Sequence, residues 1–153
     1  MEGEDAKKTS PHKILRQLRD SLVELFIALT RALFFWIPGG DMAKGRALMA
    51  CHPIFITIII AFFFVAAPRS PARIGIALFS ILVMASQWLL GGCVVTRAEQ
   101  SLTGSKETIL DPFLTLAGVQ VNRDTRVSAT LGTSTAITLM LVWAVTCDAF
   151  RTH

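Results

Sequence analysis

IGIALFSILVMASQWLLGGCVVTRAE, residues 74–99, decides the class of this protein. Its first 22 residues, Ile74 to Val95, carry no formal charge, and the run then closes on Gly-Gly-Cys and a charged flank. About 20 residues rising 1.5 Å each cross a hydrocarbon core of roughly 30 Å, so a stretch this long and apolar reads as a transmembrane helix. Composition agrees. The 153 residues are 52% hydrophobic and only 17% charged, whereas soluble domains carry about 25% charged residues.

Working outward, a second apolar run lies just upstream. From Cys51-His52-Pro53 the chain continues IFITIIIAFFFVAA to Ala67, giving a span at about 50–67. Proline is tolerated there because the first helical turn has no use for its missing N–H. The short turn Pro68–Arg73 joins this span to the one at 74–95 as a helical hairpin. A third span runs over about 128–147, uncharged but diluted by Thr130, Thr133, Ser134, Thr135 and Thr138. Between the second and third spans, the loop 96–127 carries an apolar patch (Ile109, Leu110, Phe113, Leu114, Leu116), with Asp111-Pro112 as a helix-start signal. A short helix is therefore expected inside it.

Before the spans, leucines at 15, 18, 22, 25, 29 and 33 recur at three- and four-residue steps, with Lys13, Gln17, Asp20, Glu24 and Arg31 opposite. That is an amphipathic helix, starting at Ser10-Pro11 and stopped by Pro38-Gly39-Gly40. Glu24 and Arg31 would cost several kcal/mol near a bilayer centre, so the helix is expected to lie at the interface, with Trp36 at headgroup level. Charge placement supports three spans over four. With three, the N-terminal segment and the 96–127 loop share one side with 12 Lys and Arg, against 3 on the other; with four the split is 8 to 6. The positive-inside bias favours the first, with the N-terminus on the cytosolic or equivalent side and the C-terminus across the membrane.

The expected fold is thus all-α: an integral membrane protein with three transmembrane helices and an N-terminal amphipathic interfacial helix. Residues 1–48 form the polar tail and interfacial helix, and 49–153 the transmembrane domain. The opening MEGEDAKKTS lacks the charged-then-apolar order of a secretory leader and the Gly at position two of a myristoylation signal. Net charge +4 in such a chain points to lipid headgroups and orientation, with no nucleic-acid partner expected.

Two constellations could carry chemistry. In the three-span topology Cys51, His52 and Cys93 meet at one membrane face, with Glu99 about one and a half turns beyond. Thiolate, imidazole and carboxylate are donors that zinc and copper sites use, and two cysteines could form a redox-sensitive disulfide. The simpler reading is ordinary packing, free cysteine acting as a small hydrophobe and His52 sitting where one edge meets water. Thr130, Ser134 and Thr138 form a stripe at i, i+4 spacing, which reads either as a pore lining in an oligomer or as interhelical and backbone hydrogen bonding. Gly91-Gly92 either lets helices approach closely or ends the helix. No Walker motif, nucleophile elbow, HExxH or dinucleotide fingerprint occurs, and no cofactor is expected.

The run Trp88 to Leu102 resembles a signature of small multi-span membrane proteins of uncharacterised function, Cys-x-x-Thr-x-x-Glu-x-x-Leu at a helix end. Cys93, Thr96, Glu99 and Leu102 match; Val95 stands where leucine is usual, and Thr103 where arginine is. His52 corresponds to a histidine in an earlier helix of that family. The resemblance implies a Cys/Glu cluster that holds helix ends together at the interface, and implies no activity. The function expected is that of a non-catalytic integral membrane subunit scaffolding or anchoring a larger assembly of protein subunits, such as a respiratory-type complex or a membrane-containing virus particle. The alternatives are a small oligomeric channel on the third span and a thiol- or metal-dependent membrane enzyme.

Overall fold

A computed structural model describes residues 11–150; the polar tail 1–10 and the last three residues lie outside the described residues. Six helices follow in order: α1 (Pro11–Leu33), α2 (Gly40–Val65), α3 (Pro71–Leu90), α4 (Val94–Thr103), α5 (Asp111–Leu116) and α6 (Arg123–Phe150). Among the described residues three helices, α2, α3 and α6, are long and apolar enough to cross a membrane. Their broad apolar faces stay uncovered, with Ile54, Phe55, Ile58, Phe62 and Val65 of α2 all more than half exposed. Lipid is as apolar as these side chains, so they need no protein cover.

The boundaries expected at 50–67, 74–95 and 128–147 all move, each for a local reason. α2 starts ten residues early, at Gly40 rather than residue 50, because nothing between Asp41 and Ala50 stops a helix once Pro38-Gly39-Gly40 has turned the chain. It therefore runs through the boundary drawn between residues 48 and 49. α3 stops at Leu90, five residues short of Val95, since Gly91 and Gly92 take positive φ (68° and 126°). The Gly92 amide bonds back to the Gln87 carbonyl at 2.8 Å, closing a Schellman-type cap that a Cβ would oppose. Of the two readings of this glycine pair, the structure takes the helix end. α6 gains a turn at its start, where Asn122 and Thr125 exchange side-chain and backbone bonds of 2.9 Å in both directions, the reciprocal geometry of a capping box. The apolar patch of the 96–127 loop does form a short helix, α5, beginning at Asp111 as its sequence suggested.

α3 and α6 pack along their lengths, antiparallel, with Ser80 Oγ donating to Thr138 Oγ1 at 2.9 Å midway. Phe63 of α2, Ala77 of α3 and Leu141 of α6 form the buried centre. At the end of the bundle holding the α2–α3 turn, Arg73 lies 4.6 Å over the Phe63 ring and pairs with Asp148 at 3.2 Å. Nearby, Arg69 donates to the Asp148 and Ala149 carbonyls, satisfying acceptors that the last turn of α6 leaves open.

The opposite end is built differently. α4 packs against both α2 and α1. Gly45 makes the α2–α4 contact possible: a Cβ there would sit 2.7 Å from Thr103 Cγ2, 2.8 Å from Leu102 Cβ and 3.1 Å from the Thr103 amide nitrogen. Ala98, Glu99 and Leu102 are the buried face of α4. α1 places Leu22, Phe26 and Thr30 toward the protein, while Leu18, Leu25, Leu29 and Leu33 stay 47–68% exposed. The regular leucine ladder thus splits between two faces. Arg31 bridges to Asp41 of α2 at 2.6 Å, a link too exposed to contribute much stability.

Candidate functional site

His52 is the thirteenth residue of α2, well inside the helix because α2 starts early. Its Nδ1 lies 2.9 Å from Glu99 Oε1 of α4. The Glu99 side chain is 6% exposed and that of His52 22%, so each is the other's replacement for water. Carboxylate and imidazole removed from solvent are tolerated only with such a partner.

Cys93 is the residue between the Gly91-Gly92 break and the first turn of α4. The break swings the chain so that its thiol lies beside the same imidazole, on the wall of one cavity. The cluster expected from sequence therefore assembles with three of its four members. Cys51 is the exception. It is exposed, one residue from His52 and hence turned about 100° away around the helix. All three cysteines are free. Among the described residues no group of three or more His, Cys, Asp or Glu side chains is arranged to hold a metal ion. Thiol, imidazole and carboxylate in series are the components of a thiol-nucleophile site; the same series also ties α2 to the start and the middle of α4.

These residues form the polar end of a cavity of about 420 Å³ between α2, α3 and α6. Gln87 and Thr96 lie beside them at that end, and Ile60, Ile76, Phe79 and Leu141 line the deeper part. Thr130, Ser134 and Thr138 also face this cavity, within one chain. Thr138 is 3% exposed and bonded to Ser80, while Thr130 donates to the Arg126 carbonyl at 2.9 Å. Both hydroxyls are thus spent on packing and on the backbone of the preceding turn.

The segment Thr108–Leu110 closes one wall. It is held by Asp111, whose two oxygens take bonds of 2.8 and 2.7 Å from Arg126 and one of 2.7 Å from the Thr108 hydroxyl. The Arg126 guanidinium, reinforced by Thr108, holds the Asp111 carboxyl below the usual carboxylate range.

Sequence reasoning missed Gly45, Gln87 and the Asp111–Arg126 pair. Only Gln87 carried a signal, as the one carboxamide inside an otherwise apolar run. Three apolar helices around a half-open cavity, with an acid–imidazole pair at one end, define the class: an α-helical chain compatible with a multi-pass membrane protein. No protein-family model, curated protein or solved structure matches the chain.

Proposed function

We propose that this protein is a non-catalytic integral membrane subunit that anchors a larger assembly, with α1 lying at the membrane interface as an amphipathic helix. The observation that carries this reading is the second leucine face of α1. One stripe packs on the protein, yet Leu18, Leu25, Leu29 and Leu33, continued by Phe35 and Trp36, remain uncovered on a helix outside the three spans. An apolar stripe with charges beside it rests in the headgroup boundary or against another subunit. Ile109, Phe113 and Leu116 extend the uncovered apolar surface on the loop between α4 and α6.

The Cys93-x-x-Thr96-x-x-Glu99-x-x-Leu102 signature fits the same role. It supplies the clasp by which α4 holds α1 and α2 together, so that α1 is presented in a fixed pose. On this reading the basic N-terminal segment and the 96–127 loop share the cytosolic or equivalent side.

A photo-crosslinking amino acid at Leu25 or Leu29, with Ile58 as the lipid-facing control, tests the proposal in native membranes. A discrete protein adduct from the α1 positions and none from Ile58 is the expected result. Lipid adducts alone at all three positions, with a lone monomer after extraction in mild detergent, would refute the scaffold role.

A further inference from the structure

The cavity between α2, α3 and α6 is neither a packing void nor a water pocket in its chemistry. A volume of about 420 Å³ lies within the range of small-molecule sites. It corresponds to roughly fourteen water-sized groups at about 30 Å³ each. The lining is graded along the bundle. His52, Gln87 and Glu99 lie at one end, and beyond them the walls are Ile60, Phe79 and Leu141.

The hydroxyls that sit deep in the cavity offer an entering ligand little. Thr57 donates to the Pro53 carbonyl at 2.8 Å, and Ser80 and Thr138 bond each other. The deep part therefore acts as hydrocarbon. Away from the Phe63–Leu141 contact the backbones of α2 and α6 stay apart, which leaves the cavity open sideways between them, on the side that would face lipid.

The polar end restricts the head group. No lysine or arginine lines the cavity, and the His52 imidazole is already committed to Glu99, so a phosphate or carboxylate head would enter beside Glu99 with no free cation to receive it. His52 commits Nδ1 to Glu99 at 2.9 Å, so a cationic head would have to break that pair. Gln87 supplies the positive instruction. Its Oε1 is buried and accepts no hydrogen bond, and a buried acceptor left unmade is costly. It calls for a donor, and the amide nitrogen of the same side chain can give a bond in return; an uncharged hydroxyl serves as both donor and acceptor.

We propose that this cavity reversibly binds a single-chain lipid with an uncharged, hydroxyl-bearing head, the head at Gln87 beside the His52–Glu99 pair and the chain along α2 and α6 toward Leu141. Two natural sources share that chemistry, monoacylglycerols and isoprenoid quinols, and the experiment separates them.

The full chain is reconstituted in phosphatidylcholine nanodiscs containing a small fraction of mono-oleoylglycerol, decyl-ubiquinol or oleate, and lipids retained after gentle release are counted by native mass spectrometry. The expected result is one retained mono-oleoylglycerol or decyl-ubiquinol per chain, whichever of the two is the better fit, with oleate at pH 8 retained about tenfold less, a difference near 1.4 kcal/mol. Ser134→Phe, which fills the cavity, is expected to abolish retention. Gln87→Leu is expected to erase the preference over oleate without emptying the site, so the test survives if the bulkier variant fails to fold. Retention of neither neutral probe, equal retention of oleate, or unchanged retention in both variants would overturn the proposal. So would a mass increment on Cys93 that persists after denaturation, because that would mark an acyl thioester in place of reversible binding.

Discussion

Removing the carboxylate of Glu99 tests the reasoning most sharply, because the fold hands it a single partner. His52 Nδ1 and Glu99 Oε1 are 2.9 Å apart with both side chains largely out of solvent. Hydrogen bonds to charged groups contribute about 1.5–3 kcal/mol. Stripping one member from a buried pair costs about 3–5 kcal/mol because the other stays behind unpaired. Here the lower end applies, since an imidazole can shed its proton and His52 keeps some access to the cavity. Glu99→Ala should therefore cost about 3 kcal/mol, and His52→Ala a similar amount. The double variant leaves no orphan, so it should cost less than the two singles together by about 2 kcal/mol. Unfolding in mixed detergent micelles, followed by circular dichroism for the four proteins of this cycle, measures that coupling. Because the pair fastens α4 to α2, Glu99→Ala, which keeps the His52 imidazole beside the thiol, should also raise the rate at which Cys93 reacts with a maleimide. Additivity to within about 0.5 kcal/mol, the level seen for independent sites, together with unchanged Cys93 reactivity, would refute the clasp.

Gly45→Leu should unseat α4, since even a Cβ at this position would lie 2.7–3.1 Å from Leu102 and Thr103 atoms. Overpacking of this kind costs about 1–3 kcal/mol or more, and protease cleavage near Gly104 should accelerate; a variant as stable as the parent would contradict the close approach. The Asp111 carboxyl titrates below its usual value because of Arg126. Its stabilisation is therefore complete above about pH 4, the unfolded value, and is lost as pH falls through the lower folded one. The Tm gap between the parent and Asp111→Asn should be present at pH 7 and close on acidification through that window; a gap independent of pH would count against the ion pair. Arg73→Leu should destabilise the bundle by about 3 kcal/mol by leaving Asp148, whose side chain is 11% exposed, without its charged partner. Arg73→Leu with Asp148→Leu should recover most of that loss on the same detergent titration. Thiol counting on the denatured protein should give three free thiols, with or without prior reduction.

Much of the architecture was legible because bilayer spans announce themselves locally. The Ile74 run, the Pro68–Arg73 turn and the Asp111-Pro112 helix start each needed only near neighbours in the chain. What escaped depended on residues far apart. Gly45 stands between Lys44 and Arg46 with nothing in its own neighbourhood to mark it; its meaning comes from Thr103, a residue met later. α4 was split between a span and a loop because Val94 and Val95 continue the apolar run, and apolar content alone cannot show that Gly91-Gly92 has already ended the helix. His52, Cys93 and Glu99 were expected together since topology alone brings both helix ends to one face. That argument fixed their depth but not their direction around each helix, which is why Cys51 was grouped with them and lies outside. Arg73 was read only as part of a turn and Asp148 was not singled out, although the same antiparallel topology places them side by side.

The Gly45–Leu102 contact also sets an order of events during synthesis. α4 follows the third helix in sequence but seals against the first two. At about 5–20 residues per second, the 57 residues from Arg46 through Leu102 take roughly 3–11 s to emerge. Through that interval α1 and α2 wait with His52 unpartnered and the seat of α4 empty. The chain is committed to its hairpin before its clasp exists, and the late arrival of ten residues decides when the bundle closes.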